Sequence, residues 1–493
     1  MAEAALHLDS PIDLADPRLL RQLAYIGGRW TMADDARFVP VTDPSDCSPI
    51  GEVARIGRAG AEAAVGAAHE AFAAWSGLLP QERSAILRRW FDLIVANRED
   101  LATVMTREQG KPISEARGEI DYGASFIEFY AEETKRPNIE SVTSHLGDAE
   151  VEVWREPVGV AALVTPWNFP SAMITRKTAA ALAAGCTVVV HPSVETPFSA
   201  LALAELGERA GLPAGVFNVV TGDAPEIVGA WMADQRVRAL SFTGSTETGK
   251  LLYRQGADTV KRLVLELGGH APFLVFDDAD LDRAVDEAVK AKFATSGQDC
   301  LGANRFLVAR PVYDAFCKAF AERTKALTIG PGMDDPDIGP LMNEKAVAKQ
   351  VEHVGDAMAK GATLLAGGAR HAAGRLFFLP TVLADVPADA LIMREETFGP
   401  VAAIAPFDTE AEAFARANDT EYGLVAYLHT QDPRRIYRAS RALAFGMVAV
   451  NRTKVTGAPI PFGGMKQSGL GREGSRLGLE AFTEVKYVCR DWS

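Results

Sequence analysis

The chain has 493 residues, of which 48% are hydrophobic and 24% charged, a composition typical of folded globular proteins with more than one domain. Its 51 basic and 65 acidic side chains give a net charge of -14, which argues against nucleic acid or an anionic membrane as a partner. No apolar run reaches the roughly 20 residues that cross a bilayer, and the N-terminus lacks the pattern of a secretory signal. The sequence therefore predicts a soluble, cytoplasmic protein.

The cysteines and histidines give no sign of a disulfide framework or a metal site. The five cysteines are scattered without a Cys-x-x-Cys pair, and the eight histidines are equally dispersed. We therefore expect no metal cofactor and a reducing compartment.

Predicted helices dominate the first part of the chain. Over residues 58–133, apolar side chains recur at three- and four-residue spacing, for example in 61–75 and 81–97, as they do in amphipathic helices. Residues 1–22 and the hydrophilic stretch 132–150 are expected to form exposed arms or connectors.

From residue 157 onward, short apolar runs alternate with helical segments. The first series has strands at 160–164, 187–190, 216–220 and 239–243, with helices near 172–184, 199–210 and 224–232 between them. A second series begins at 272–276 and continues past Val448. This alternation is typical of parallel sheets covered by helices, so we predict two α/β domains with the active site in the cleft between them.

Two turns follow predicted strands of the first series. The rigid segment 166–170, Pro-Trp-Asn-Phe-Pro, carries Asn168 either as a structural turn residue or as an amide donor for a developing oxyanion. The turn 244–250, Gly-Ser-Thr-Glu-Thr-Gly-Lys, leads into a helix whose N-terminus suits a phosphate. This second turn lacks both the Gly-x-Gly-x-x-Gly fingerprint and a Walker sequence, so alone it is weak evidence for a nucleotide.

Cys300 is the candidate nucleophile. It lies in a Gly-, Gln- and Asp-rich turn after the predicted helix 280–294, where a loop exposes a side chain, although simple packing is the alternative for a free cysteine. Glu266, in the Glu-Leu-Gly-Gly run 266–269, is the candidate carboxylate base. The pair predicts thiol chemistry assisted by a general base.

With these motifs and others, the chain resembles the aldehyde dehydrogenase superfamily over essentially its whole length, and within it the succinate-semialdehyde dehydrogenases. The superfamily motifs are Pro-Trp-Asn-Phe-Pro at 166–170, Phe-Thr-Gly-Ser-Thr at 242–246, Glu-Leu-Gly-Gly at 266–269, Gly-Gln-Asp-Cys at 297–300, Glu-Glu-Thr-Phe-Gly-Pro at 395–400 and Pro-Phe-Gly-Gly at 461–464. The narrower resemblance comes from residues 174–177, 196–206 and 468–475.

The resemblance implies an α/β fold of the aldehyde dehydrogenase type, with two doubly wound parallel-sheet domains and a β-hairpin oligomerisation arm. Residues 1–137 and 159–265 would form the NAD(P)-binding domain, and 266–475 the catalytic domain. Residues 138–158 and 476–493, including a strand at 484–491, would form the arm that subunits exchange in a homodimer or homotetramer.

The resemblance also implies NAD(P)-dependent oxidation of a small semialdehyde to the carboxylate. The Cys300 thiolate would attack the aldehyde carbon, and the Asn168 amide and the Cys300 backbone N–H would hold the oxyanion. Hydride would leave for the nicotinamide, and Glu266 would activate the water that hydrolyses the thioester. Lys177 would orient groups or relay protons near the site.

The cofactor contacts that the resemblance implies are Pro166, Trp167, His191, Ser193, Val194, Gly222, Gly244, Ser245, Gly249, Leu267, Glu396 and Phe398. Val194 stands where relatives often carry a carboxylate that bonds the adenosine ribose, and His191, only partly charged at neutral pH, where they carry a lysine. A 2'-phosphate would be neither repelled nor strongly attracted, so we expect use of both NAD and NADP.

The predicted substrate contacts are Arg176, Asp299, Thr456 and Phe462. Arg176 matches one of two arginines that hold the distal carboxylate in the succinate-semialdehyde enzymes, whereas Ala294 replaces the second arginine and Thr456 a serine. A carboxylate at Asp299 would raise the pKa of the neighbouring thiol and disfavour an anionic substrate; alternatively, it marks a hydroxylated or amino-bearing aldehyde, or points away from the pocket.

Several alternatives stay open from the sequence. Lys454 or Arg452 either replaces the lost arginine or is solvated, and Gly302 removes the second cysteine of related enzymes. The substrate is a succinic-semialdehyde-like acid or, alternatively, glutarate semialdehyde, a sulfonated aldehyde such as sulfolactaldehyde, or a hydroxylated or amino aldehyde. A cofactor-independent thioesterase or esterase would use the same thiol and base, whereas a catalytically silent structural member would lack one of them.

Overall fold

The computed structural model describes residues 12–33, 35–136 and 138–491. Residues 1–11, 34, 137 and 492–493 lie outside the described residues, and with them part of the predicted N-terminal arm and the ends of the predicted domains.

Helices cover the faces of the sheets and fill the stretch predicted to be helical. They are α1 (Arg58–Ser76), α2 (Pro80–Ala96), α3 (Arg98–Gln109), α4 (Ile113–Glu133), α5 (Ala172–Ala184), α6 (Pro197–Ala210), α7 (Ala224–Ala233), α8 (Thr246–Gly256), α9 (Leu281–Phe293), α10 (Arg310–Lys325), α11 (Glu344–Ala359), α12 (Glu410–Asn418), α13 (Pro433–Ala442) and α14 (Ser475–Glu480).

The strands form three larger sheets and one hairpin. They are β1 (Ala24–Ile26), β2 (Arg29–Thr31), β3 (Phe38–Thr42), β4 (Pro49–Ala54), β5 (Ile139–Val142), β6 (Ala149–Pro157), β7 (Val160–Val164), β8 (Thr187–His191), β9 (Phe217–Val219), β10 (Val237–Thr243), β11 (Arg262–Glu266), β12 (Ala271–Val275), β13 (Ala303–Ala309), β14 (Thr363–Ala366), β15 (Thr381–Ala384), β16 (Val401–Phe407), β17 (Val425–His429), β18 (Met447–Val450), β19 (Gly469–Leu470) and β20 (Thr483–Asp491).

Local sequence explains where the helices of the first series begin and end. Helix α6 starts at Pro197, earlier than predicted, because proline suits the first helical turn. Helices α5 and α6 both end at glycines in the left-handed region, Gly185 with φ 99° and Gly211 with φ 88°. Helix α8 is capped by Ser245, whose side chain accepts a hydrogen bond from the Thr248 backbone N–H.

The first sheet has eight strands in the order β19-β11-β10-β7-β8-β9-β1-β2. Its five central strands are parallel, whereas β19 and the β1–β2 hairpin join its edges in antiparallel orientation. Every residue of β7 and β8 is buried, as expected for strands covered on both faces. Alternate residues of β7 enter two separate apolar cores, one shared with α5 and α6 and the other with α1 and α7.

The second sheet has seven strands in the order β14-β15-β16-β13-β12-β17-β18, and all neighbours except β14 and β15 are parallel. Successive residues of β12 again point to opposite cores, with Phe273 on one face and Leu274 on the other. The two predicted α/β domains with mainly parallel sheets are therefore confirmed.

A third, antiparallel sheet has the order β20-β6-β5. It combines the two separate segments predicted to form an arm, and β20 pairs with β6 along its whole length, from Thr483 opposite Pro157 to Asp491 opposite Ala149. Ile139, Val485 and Tyr487 on this sheet are more than half exposed.

Neither a membrane span nor a metal cluster is found in the part of the chain that the structure describes. No helix among residues 12–33, 35–136 and 138–491 is long and apolar enough to cross a bilayer. The same residues contain no group of three or more His, Cys, Asp or Glu side chains placed to hold a metal ion.

Candidate active site

The candidate site lies where the carboxyl ends of the first sheet face loops that precede strands of the second sheet. Strand β7 leads into the segment 166–170, β10 into Gly244 and Ser245, and β11 ends at Glu266. Cys300 precedes β13, and Phe398 precedes β16. The carboxyl edge of an open parallel sheet is the usual place for a ligand.

Two cavities meet at Cys300. Cavity I, of about 290 Å³, is lined by Lys111, Glu115, Gly118, Glu119, Tyr122, Phe169, Ala172, Met173, Arg176, Ala294, Thr295, Asp299, Cys300, Leu301, Thr456 and Phe462. Cavity II, of about 230 Å³, is lined by Pro166, Trp167, Asn168, Met173, Thr243, Gly244, Ser245, Leu267, Gly268, Cys300, Glu396 and Phe398. Cys300 and Met173 belong to both walls, so one thiol faces two compartments.

The loop that carries Cys300 is held in an uncommon conformation. Thr295 and Ser296 both have positive φ angles, 51° and 56°, which non-glycine residues adopt only under constraint. Glu115 accepts hydrogen bonds from the Thr295 backbone N–H at 3.0 and 3.1 Å, and the Ser296 hydroxyl donates to the Gly339 carbonyl at 2.9 Å. Surrounding elements thus fix the loop before the nucleophile.

The electrostatic setting of Cys300 favours the neutral thiol. Burial raises the pKa of this thiol well above its usual range, and the Asp299 and Glu396 carboxylates raise it further. Arg176 acts in the opposite direction. Activation of the thiol therefore needs a base or an added positive charge nearby.

Asn168 lies on the wall of cavity II beside Cys300. Its Nδ2 donates to the Gln298 carbonyl at 3.1 Å, which fixes the side chain and leaves the second N–H of the amide available. Its Oδ1 is buried without a hydrogen-bond partner among the described residues.

Glu266 is buried behind the two cavities and is not part of either lining. Both of its carboxylate oxygens lack hydrogen-bond partners within the described ranges. Burial raises the pKa of Glu266 well above its usual range, Glu473 raises it further, and Arg176 and Lys177 lower it. A carboxyl group with a raised pKa is a stronger base near neutral pH.

Two glycines of the sequence motifs allow these groups to approach one another. A Cβ at Gly463 would lie 2.8 Å from Glu266 Oε1, so a side chain there would displace the carboxylate. A Cβ at Gly269 would overlap the Cys300 carbonyl oxygen. The Glu-Leu-Gly-Gly and Pro-Phe-Gly-Gly motifs thus have a steric reason for glycine at both positions.

Arg176 and Lys177, neighbours on α5, share one buried carboxylate, that of Glu473. Arg176 Nε lies 2.6 Å from Glu473 Oε2, and Lys177 Nζ contacts Glu473 Oε1. Ser241 bridges the cluster at 3.0 Å from both Lys177 Nζ and Glu473 Oε1. The two cations lower the pKa of Glu473, so it stays ionised in spite of its burial.

Lys177 lines neither cavity I nor cavity II, whereas Arg176 lines cavity I. The Arg176 guanidinium stacks on the Phe462 ring, with its carbon 4.2 Å from the ring centre. Its Nε faces Glu473 in the ion pair, and its Nη2 donates to the Met173 sulfur at 3.1 Å. All four predicted substrate contacts, Arg176, Asp299, Thr456 and Phe462, line this cavity.

Asp299 is one of the residues that line cavity I. Its Oδ1 accepts a hydrogen bond from the Leu301 backbone N–H at 2.9 Å. Burial raises the pKa of Asp299, and this hydrogen bond opposes the shift.

The suggested replacements for the lost arginine are not found on the cavity wall. Arg452 and Lys454 are exposed and line neither cavity. Ala294, which stands in place of that arginine, does line cavity I. Arg176 and Lys111 are therefore the cations on the wall of cavity I within the described residues.

Cavity II contains seven of the predicted cofactor contacts: Pro166, Trp167, Gly244, Ser245, Leu267, Glu396 and Phe398. The Trp167 and Phe398 rings meet edge to face, with centroids 5.6 Å apart. Glu396 Oε1 accepts a hydrogen bond from the Gly269 backbone N–H at 2.8 Å, and burial raises the pKa of this carboxyl to about 7. The N-terminus of α8, which begins after Ser245, opens beside the same cavity.

The other five predicted cofactor contacts do not line cavity II: His191, Ser193, Val194, Gly222 and Gly249. His191 is buried, and its Nδ1 lies 2.8 Å from the Val220 carbonyl oxygen. Burial lowers the pKa of His191, so the ring is neutral at pH 7 and not partly charged as the sequence suggested.

Three polar residues on the wall of cavity I were not predicted from the sequence. Glu115, Glu119 and Tyr122 lie at four- and three-residue spacing on α4, which places them on one face of that helix. Glu473 lies within the stretch 468–475, but the sequence predicts no role for it. The sequence feature that could have identified the residues of α4 is the presence of charged side chains on the predicted buried face of that helix.

Comparison with known proteins places the chain among aldehyde dehydrogenases. It is 54% identical over 477 residues to a non-phosphorylating aspartate-semialdehyde dehydrogenase of Halomonas elongata, with 97% of each chain covered. It is 50% identical to the NADP⁺-dependent succinate-semialdehyde dehydrogenase GabD of Escherichia coli, covering 97% of this chain and 99% of that one. A 3-sulfolactaldehyde dehydrogenase of Pseudomonas putida is 49% identical, with the same two coverages of 97% and 99%.

Solved structures give the same result. A succinate-semialdehyde dehydrogenase from Burkholderia pseudomallei superposes with a TM-score of 0.96 at 50% identity and covers 97% of this chain and 100% of its own. A betaine aldehyde dehydrogenase from Staphylococcus aureus, solved in complex with NAD⁺, superposes with a TM-score of 0.93 at 34% identity, covering 96% of this chain and 95% of that one. The aldehyde dehydrogenase family model matches residues 30–488, and the chain therefore belongs to the aldehyde dehydrogenase family.

Proposed function

We propose that the chain oxidises a small semialdehyde with an anionic tail to the carboxylate, in a reaction that depends on NAD(P). The observation that carries this proposal is the position of Cys300 at the junction of two cavities. Cavity I carries the buried Arg176 guanidinium, which suits an acidic tail, and cavity II adjoins the N-terminus of α8, which suits a phosphate group.

The residues present in cavity II fit a nicotinamide dinucleotide. Gly244 and Ser245 give the backbone access to a pyrophosphate at the α8 N-terminus, and the Glu396 carboxyl is placed to bond a ribose hydroxyl. A bound nicotinamide would supply the acceptor for the hydride that leaves the substrate. Val194 gives no carboxylate to repel a 2'-phosphate and the neutral His191 no cation to attract it, so we expect both NAD and NADP to serve.

In this proposal, each side chain around Cys300 contributes to a different step of the reaction. The Cys300 thiol loses its proton to Glu266, which passes it on to solvent, and the resulting thiolate attacks the aldehyde carbon; the free N–H of the Asn168 amide and the Cys300 backbone N–H stabilise the oxyanion. Glu266 takes a proton from the water that hydrolyses the Cys300 thioester. The Lys177–Glu473 pair behind Glu266 sets the local charge and offers a path for that proton.

The named relatives support an acidic tail. Their substrates, aspartate semialdehyde, succinate semialdehyde and 3-sulfolactaldehyde, all carry an anionic group in addition to the aldehyde. Arg176, on the wall of cavity I, is the side chain that we propose binds such a group.

We also propose a cytoplasmic homo-oligomer. All five cysteines are free, which suits a reducing compartment. The exposed apolar side chains Ile139, Val485 and Tyr487 give the β20-β6-β5 sheet a surface that suits a second copy of the chain, in a dimer or tetramer.

The test is a comparison of kcat/KM for succinic semialdehyde and butanal, with NAD and NADP, in the wild type and in Arg176→Ala. The ratio of the two kcat/KM values should fall by about tenfold or more in the variant, since a charged hydrogen bond is lost for one substrate alone. Arg434→Ala, which removes an exposed arginine of α13, is the matched control. An unchanged ratio in Arg176→Ala would overturn the acidic-tail proposal.

The same assay separates the proposal from a cofactor-independent thioesterase or esterase. Oxidation requires NAD(P) and produces absorbance at 340 nm in proportion to the carboxylate formed. Hydrolysis of an ester or thioester at a high rate without NAD(P), together with no aldehyde oxidation, would favour the hydrolase.

A further inference from the structure

We propose that cavity I accepts an amino-acid semialdehyde, in which an ammonium group stands beside the terminal carboxylate, and that Asp299 and Glu115 hold this ammonium. The inference rests on the proposed oxidation of an acid-tailed aldehyde. It goes further by naming a second charged group on the tail and the residues that select it.

Both cations on the wall of cavity I, Lys111 and Arg176, are already paired with carboxylates. Lys111 Nζ forms a buried ion pair with Glu119 Oε2 at 2.6 Å. Arg176 Nε forms the ion pair with Glu473 described above, also at 2.6 Å. Both cations of the wall are thus partly neutralised before a substrate binds.

Two carboxylates of the same wall have no such partner. Within residues 12–33, 35–136 and 138–491, neither Asp299 nor Glu115 has a cation within ion-pair distance. Asp299 accepts hydrogen bonds from the Leu301 backbone N–H and from the Cys300 thiol, and Glu115 accepts them from the Thr295 backbone N–H. A carboxylate has about four lone-pair positions, so each keeps capacity for a further donor.

Burial makes these carboxylates costly in the absence of a cation. Desolvation raises the pKa of both Asp299 and Glu115, and Asp299 also raises the pKa of Glu115 and of the Cys300 thiol, whereas Lys111 lowers the pKa of both carboxyls. A substrate ammonium placed between them would reverse this effect, because opposite charges attract strongly where water is excluded. The cavity is therefore electrostatically incomplete for a substrate that carries a carboxylate alone.

The separate positions of Arg176 and Asp299 on the wall also suit the α-carboxylate and α-ammonium groups of an amino acid. Asp299 adjoins Cys300, where the aldehyde carbon must lie, whereas Arg176 is fixed elsewhere on the wall by the Phe462 ring and Glu473. A carboxylate at Arg176 and an ammonium at Asp299 and Glu115 would give two-point recognition on either side of one carbon atom. A plain acid would bring its negative charge into the same space with no group to satisfy these carboxylates.

The experiment uses four aldehydes that differ only in charged groups: butanal, succinic semialdehyde, 3-aminobutanal and 2-amino-4-oxobutanoate. For the wild-type protein with NAD(P), we expect kcat/KM for 2-amino-4-oxobutanoate to exceed that for succinic semialdehyde. In Asp299→Asn, the ratio of these two values should fall by about tenfold or more, since an ammonium loses a charged acceptor. Asp314→Asn, an exposed position on α10, should leave the ratio unchanged.

A second readout is inhibition of the wild-type protein by the two products, which does not depend on the variant. L-aspartate and succinate, the products of the two acidic substrates, should inhibit the wild-type protein competitively, with the lower inhibition constant for L-aspartate. An amino group that lowers kcat/KM and weakens inhibition would overturn the inference and leave the proposed function intact, as would a ratio that Asp299→Asn does not change. Failure to oxidise any of the four aldehydes would overturn the proposed function itself.

Discussion

The buried charge cluster behind the site makes a quantitative prediction for Glu473→Gln. The substitution keeps the shape of the side chain and removes its negative charge. Arg176 and Lys177 would then remain as two cations whose side chains are 2% and 0% exposed, without a carboxylate between them. Breaking a buried ion pair by removing one partner costs about 3 to 5 kcal/mol, so we expect the free energy of unfolding to fall by about that amount.

The measurement is urea denaturation followed by tryptophan fluorescence, with Glu484→Gln as the matched control. Glu484 lies 2.8 Å from Arg262, but its side chain is 56% exposed, so this variant should change stability by only about 0 to 1 kcal/mol. Because the pKa of Glu473 is lowered in the folded protein, its stabilising effect is fully present above the ordinary value of 4.5 and is lost as the pH falls through the folded-state pKa. Equal stabilities of Glu473→Gln and Glu484→Gln at pH 7 would refute this reasoning.

Two further predictions concern the reacting groups. Glu266→Gln should retain a first-turnover burst of NAD(P)H, but its steady-state rate should fall by about 10²- to 10⁴-fold, the usual contribution of a general base. Stopped-flow absorbance at 340 nm measures both phases. An undiminished steady-state rate would indicate another base. The rate of Cys300 alkylation by iodoacetamide should rise steadily above neutral pH, because the pKa of the thiol is raised, and Asp299→Asn should move this profile to lower pH by removing one of the charges that raise it. A profile that Asp299→Asn leaves in place would show that this carboxylate does not act on the thiol.

The parts of the site that the sequence predicted are those carried by short, local patterns. Cys300 and Glu266 each stand in a short run of adjacent residues, and close approach to these two residues explains the glycines at Gly269 and at Gly463 of the motif 461–464. The alternation of strands and helices likewise predicted the two parallel sheets, because each β-α unit is local in sequence.

The features of the site that the sequence did not predict depend on contacts between distant parts of the chain. Glu473 meets Lys177 across a separation of 296 residues, and no local pattern connects them. Cavity I combines the buried face of α4 with the loop before β13, so the charges of Glu115 and Asp299 become neighbours only in the folded chain. Five predicted cofactor contacts outside cavity II, among them His191 and Gly222, stay predictions.

The short strand β19 limits how the two halves of the molecule can move. After β18 the chain returns to the first sheet, where Gly469 pairs with Glu266 and Leu470 with Leu265, and the Leu267 N–H donates to the Ser468 carbonyl at 3.0 Å. The polypeptide thus crosses the cleft twice and is hydrogen-bonded to itself at the second crossing. Rotation of one domain away from the other would first have to break the hydrogen bonds between β19 and β11, the strand that ends at Glu266. Substrate, water and product are therefore expected to travel through the mouths of the cavities, so mutations at those mouths should govern exchange rates more than hinge flexibility does.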